Sequence, residues 1–162
     1  MRALEAYKTF LAQFSEEENE DLLANIVVQG RRLFHDVQNN QAYCEEHNIQ
    51  AHSLGLYLGE AKRFFEPTPY CVSRLADFSK LDQRATLDKK GAWMFLCGKD
   101  IFGNAVLDGT PEKETPVFLY TEEGENLGYG QWVVNALTPR TGSQVVILNR
   151  ADRGAYLRRE KR

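Results

Sequence analysis

Cysteine is scarce in this chain: only Cys44, Cys71 and Cys97 occur, far apart and odd in number. That pattern argues against a disulfide framework and suits a reducing compartment. Long apolar runs are missing too. Arg2, Glu5 and Lys8 interrupt the first residues, so no secretory leader is expected, and nothing approaches the roughly 20 apolar residues of a bilayer span. Positive charge is also short, with 20 Lys and Arg against 23 Asp and Glu, a net of −3. The molecule is therefore not a uniformly basic nucleic-acid binder, and any such binding has to be local. These absences lead us to expect a soluble, cytoplasmic protein, or a nuclear and nucleolar one in a eukaryote.

Motifs of catalysis are missing as well. FLCGKDIF contains Gly98-Lys99 but lacks the earlier glycine of a phosphate loop, and Asp100 stands where Ser or Thr should take magnesium. The Gly-x-Gly at Gly128 and Gly130 falls inside a hairpin pattern, so a dinucleotide or methyl-donor site has no support. No serine is surrounded by nucleophile-elbow glycines. Cys44, His47 and His52 form C-x-x-H-x-x-x-x-H, and His35 would complete four zinc ligands. The second paired motif of a finger is absent, however, and Glu45 and Glu46 suit a solvated helix face. We expect neither enzyme, nor metal, nor cofactor.

What is present is enough apolar material, 43% of 162 residues, for one domain or two small ones. Leu4, Tyr7, Leu11 and Phe14 recur at helical spacing and predict an apolar helix face. Ser15 and Glu18 have capping-box spacing ahead of a second helix, and the acidic run there complements a helix N-terminus. NIVVQGRRLFHDV predicts two short strands around a Gln29-Gly30 turn, NNQAYCEEHN a short helix, and SLGLYLGEAKRFF a strand or bent strand pair. PTPYCVSRLADFS predicts a helix entered through Pro69. KLDQRATLDKKG is polar and places a domain boundary near residue 82. Beyond it, GAWMFLCG predicts a buried short helix and KDIFGNAVLDG a strand interrupted by glycine. PVFLYTEEGENLGYGQWVV predicts a hairpin, and SQVVILN a strand buried on both sides.

Charge is distributed unevenly along this pattern. From Arg150 to Arg162, six basic residues face Asp152 and Glu160, a net of +4, whereas the first 149 residues carry −7. Arg150, Arg153, Arg158, Arg159, Lys161 and Arg162, set beside the edge of a sheet, would neutralise several phosphates and bind RNA through counterion release. Tyr156 would offer a stacking face; for Tyr129 and Trp132 core packing is the preferred role. A basic end that merely keeps the protein soluble stays open.

The segments ATLDKKGAWMFLCGKDIFGNAVLD, PVFLYTEEGENLGYGQWVV and VVILNRADRGAYLRRE, in this order, resemble a PUA domain, the small pseudo-barrel of pseudouridine synthases and archaeosine transglycosylases. The ending RADRGAYLRRE further resembles the nuclear import protein seven family, ribosome-biogenesis factors of archaea and eukaryotes. The resemblance covers roughly the last 80 residues; over the rest it rests on architecture and on SLGLYLGEAK before a Pro-entered helix. It implies an α+β protein, with residues 1–82 an N-terminal α+β domain and residues 83–162 a C-terminal PUA pseudo-barrel that binds RNA. It further implies a precursor of ribosomal RNA as ligand, with other assembly factors and the exosome as partners. Lys99 matches a position where PUA domains approach the RNA backbone, and Gly98 permits that approach. The net-acidic N-terminal domain is expected to face protein partners and not to bind RNA. An RNA-modification enzyme or its docking subunit, and a protein-interaction scaffold, remain the alternatives.

Overall fold

The computed structural model describes residues 2–15 and 20–159, except for the side chains of Tyr156 and Arg159. The chain divides into two compact units, Met1–Arg74 and Leu75–Arg162. The first runs α1 (Ala3–Leu11), α2 (Glu20–Leu23), β1 (Ile26–Gln29), β2 (Arg32–His35), α3 (Asn40–Glu46), β3 (Leu56–Ala61), β4 (Phe65–Pro67) and α4 (Pro69–Asp77), the division falling inside α4. Its strands form an antiparallel meander in the order β1-β2-β3-β4. The Gln29-Gly30 turn is where the sequence places it, with Gly30 at φ 61.

Helix α1 buries Tyr7 and, past its end, Phe14 of the expected face, but the stripe is rotated away from the two leucines. Ala3, Ala6, Tyr7 and Phe10 are buried, with Phe14 beyond the helix end, while Leu4 and Leu11 stay half-buried. Aromatic packing sets the rotation: Phe65 on β4 meets Tyr7 at 5.0 Å and Phe10 at 5.3 Å between ring centroids. The expected Ser15–Glu18 capping box extends outside the described residues. At α3 the N-cap residue Asn39 makes no side-chain cap bond, and Asp36 serves instead, its carboxylate accepting from Asn40 and Gln41 N–H at 2.9 and 2.8 Å. Burial pushes the Asp36 carboxyl up, but these bonds and one from the Asn40 amide outweigh it and leave the pKa lowered.

Tyr7 and Cys71 form a buried polar knot in this unit. The Tyr7 hydroxyl donates to the Leu22 carbonyl at 3.3 Å, and Arg74 donates to the same carbonyl at 3.0 Å. Burial raises both acids, Tyr7 above its ordinary range and Cys71 to about 12.

The second unit contains β5 (Arg84–Leu87), α5 (Lys89–Leu96), β6 (Ile101–Phe102), β7 (Val106–Gly109), β8 (Pro116–Tyr120), β9 (Asn126–Trp132), β10 (Val145–Asp152) and α6 (Ala155–Arg159). Its sheet has the order β6-β10-β9-β8-β5-β7, antiparallel except between β5 and β8. Outer strands β6 and β7 are joined only by the turn Gly103–Ala105. Six strands laid flat would hold them about 24 Å apart, whereas so short a link spans at most about 14 Å. The sheet therefore curls into a nearly closed barrel, around a core that includes Leu87, Phe95, Ile101, Val117, Leu119, Trp132, Val146 and Ile147. Strand β5 arises from the polar stretch around the expected boundary, where Ala85 and Leu87 alone point inward; a small alanine and so short an alternation concealed it.

The last turn of this unit is fastened by Arg158. Its guanidinium meets the Asp152 carboxylate through two N–H···O contacts of 2.8 Å and also donates to the Leu96 carbonyl at the end of α5. Asp152 is buried and Arg158 partly exposed, with side-chain exposures of 5% and 41%. The hydrogen bonds to Asp152 raise the Arg158 pKa further.

Two outcomes are expected. Above pH 9 an unfolded Cys71 loses its proton while the folded one keeps it to about 12. The unfolded state then binds fewer protons and stability falls as pH rises. From pH 8 to pH 10, urea unfolding should show wild type losing on the order of 1 kcal/mol more than Cys71→Ala. Arg158→Ala strands a buried carboxylate and should cost on the order of 2 kcal/mol in the same assay, less than a fully buried pair because the arginine is partly solvated.

Candidate nucleic-acid interface

Helix α5 begins at Asp88, whose carboxylate accepts from Gly91 N–H at 2.6 Å, and ends in a closed turn. Gly98 N–H donates to Phe95 O at 2.8 Å and Lys99 N–H to Met94 O at 3.1 Å, with Gly98 at φ +80. This is a Schellman motif, which a glycine at that position makes without strain. Asn149 of β10 ties the corner from the other side: its amide donates to Phe95 O at 2.8 Å, and its N–H to the Asp100 carboxylate at 2.8 Å. Lys99 thus stands exposed on a fixed backbone and makes no ion pair among the described residues.

The structure brings Gly98, Lys99 and Arg158 together. A Cβ placed on Gly98 would lie 2.9 Å from the Arg158 guanidinium. Arg158 is therefore not a loose tail charge: it is held against Asp152 and the Leu96 carbonyl. Arg150, exposed on β10, donates to the Gln131 amide oxygen at 3.1 Å, and Arg153 to the Asn126 carbonyl at 3.1 Å. Tyr156 and Arg159 belong to α6, while Lys161 and Arg162 lie outside the described residues. Trp132 and Tyr129 are buried, as core packing requires.

Sequence reasoning missed the outer face of α5. Trp93 is 67% exposed, although GAWMFLCG reads as a buried segment. Lys89 and Lys90, one turn earlier, share its face, are exposed and make no ion pair among the described residues. Only the helix rotation, with Ala92 and Phe95 inward, separates Trp93 from the core. The Lys89-Lys90 pair ahead of it was the available signal.

Among the described residues no group of three or more His, Cys, Asp and Glu is placed to hold a metal. His35 instead meets the Tyr70 hydroxyl at 2.9 Å, and His47 the Tyr43 carbonyl at 2.9 Å. Among the described residues no helix is long and apolar enough to cross a membrane.

Residues 83–161 match the family described as the UPF0113 PUA domain. Two solved archaeal structures resemble the chain in fold. A conserved PUA domain protein from Thermoplasma acidophilum is 12% identical with a TM-score of 0.52, covering 92% of this chain and 90% of its own. A hypothetical protein from Pyrococcus horikoshii OT3 is 12% identical with a TM-score of 0.50, over 91% and 90%. No curated protein sequence matches significantly. The family match and the nearly closed barrel agree on a PUA-like barrel in the second unit, a module type that points to RNA as its ligand, preceded by helices and a sheet of their own.

Proposed function

We propose that the chain is a non-catalytic RNA-binding factor of ribosome biogenesis, acting on precursors of ribosomal RNA during large-subunit assembly, in the cytoplasm and together with other assembly factors. The domain boundary belongs at 82/83, just ahead of β5. The observation that carries RNA binding is the unpaired cation and aromatic surface of α5 and its corner. Lys89 and Lys90 stand at the start of a helix roughly 12 Å long and Lys99 in the turn just past its end, with Trp93 exposed between them. Cations follow a phosphate backbone, and an exposed indole takes a base by stacking without reading its identity. Arg150, Arg153, Arg158, Arg159, Lys161 and Arg162 extend this surface in sequence, with Tyr156 as a second ring. Arg158 does so while holding Asp152, so its share of phosphate binding is smaller than that of Lys99. The assembly role rests on the sequence resemblance to the nuclear import protein seven family.

Replacing Lys89, Lys90 and Lys99 with Ala should weaken single-stranded RNA binding and lower the slope of log affinity against log salt by about 2, at roughly 0.7 per phosphate. Trp93→Ala should cost about 1–3 kcal/mol of binding, with its unfolding midpoint unchanged. Fluorescence anisotropy across a salt series measures both, and unchanged affinity in both variants would refute the site. Crosslinking in cells followed by sequencing should recover ribosomal RNA precursors; recovery of transfer RNA instead would favour a docking role for RNA modification.

A further inference from the structure

The unit Met1–Arg74 is acidic overall, yet its cations are gathered. Arg31 and Arg32 stand at the turn between β1 and β2, and Lys62 and Arg63 at the turn between β3 and β4. Ala61 N–H donates to the Arg31 carbonyl at 2.8 Å, and Arg32 lies opposite Glu60 across the strands, so both turns share one end of the sheet. Arg31 pairs with Glu60 at 3.3 Å and Lys62 with Glu66 at 2.7 Å. Arg32 and Arg63 have no carboxylate partner among the described residues, which leaves four cations against two anions, a local net of +2. Next to them Phe64 is 70% exposed, with the Arg63 guanidinium 5.4 Å from its ring centroid. A shallow cavity of about 380 Å³ is lined by Arg31, Arg32, His52 and Glu60.

We propose that this end of the sheet is a second RNA-binding site, with Arg32 and Arg63 on phosphates of a single strand and Phe64 stacked on a base. An arginine lying over an exposed ring is the combination that single-stranded nucleic acid uses, since every base has a face to stack and every linkage a charge. An acidic peptide would engage the arginines but leave the ring unused. The acidic α2 does not cancel the patch. It leads into the far end of β1, and a four-residue strand spans about 13 Å, beyond the roughly 8 Å screening length at physiological salt. The choice of RNA as ligand class rests on the RNA-binding reading of the PUA domain; the location of the site does not.

The test uses the full chain and a fluorescein-labelled oligouridylate. Arg32→Gln with Arg63→Gln should flatten the salt slope by about 1.4, and Phe64→Ala should weaken binding roughly tenfold. Both variants should keep the wild-type unfolding midpoint, because the altered side chains are exposed. Photocrosslinking with 4-thiouridine RNA should label the peptide that contains Phe64. If both variants bind like wild type while the Lys89, Lys90 and Lys99 variant is impaired, the second site is refuted and the PUA reading stands. Wild type that fails to bind the oligonucleotide refutes both. Loss of polyglutamate binding in the double arginine variant, with RNA binding untouched, would mark the patch as a protein contact and overturn the proposal.

Discussion

The short link between β6 and β7 is the constraint on which the C-terminal unit depends. Strands at opposite ends of the sheet order are joined by Gly103–Ala105 alone, so the sheet has to curl until its edges approach. A Cβ on Gly103 would lie 2.3 Å from the Thr141 carbonyl, so closure there also requires a residue without a side chain. Curling brings the end of α5 against β10. Asn149 then reaches the Phe95 carbonyl, and Arg158 reaches both Leu96 and Asp152. The position of Lys99 is thus a consequence of barrel closure, carried through hydrogen bonds at the end of a helix.

Such a corner is well suited to binding and poorly suited to chemistry. Its Gly98 and Lys99 N–H groups are taken up by the end of the helix, which leaves the exposed lysine charge facing outward. A fixed cation loses little further backbone freedom when it meets a phosphate, so less of the interaction is offset by ordering. A general acid or base would need a titratable group with a shifted pKa in a cleft. The two strongly raised acids, Tyr7 and Cys71, are instead buried in the first unit, where desolvation holds them protonated and inert.

Much of the architecture was legible because turns announce themselves. Gly30, Pro69 and the polar turn inside PVFLYTEEGENLGYGQWVV marked boundaries through backbone chemistry that tertiary packing does not override. Faces were less legible than elements. The spacing in α1 set Leu4 and Leu11 on the buried face beside Tyr7, but the rotation was set by Phe65, well over fifty residues away in the chain. Likewise Trp93 sits in a compact apolar run, and only the opposing demand of Ala92 and Phe95 for the core turns it outward. Periodicity over eight residues is too short to choose between these rotations. The Gly98-Lys99 corner could be located because its glycine has a local cause, the left-handed end of a helix.

Charge was the least legible property, for a physical reason. A residue count registers sign, whereas binding depends on which charges remain uncompensated in space. Arg158 belongs to the most basic segment of the chain, yet two of its N–H groups are held by a buried aspartate. Arg32 and Arg63 belong to a net-acidic unit, yet face solvent without a carboxylate partner among the described residues. Screening makes this local accounting decisive: beyond roughly 8 Å the opposing charges of the same domain contribute little, while partners within hydrogen-bond distance contribute nearly everything. Two arginines in a nominally acidic domain can therefore present a stronger phosphate-binding surface than one arginine in a basic tail.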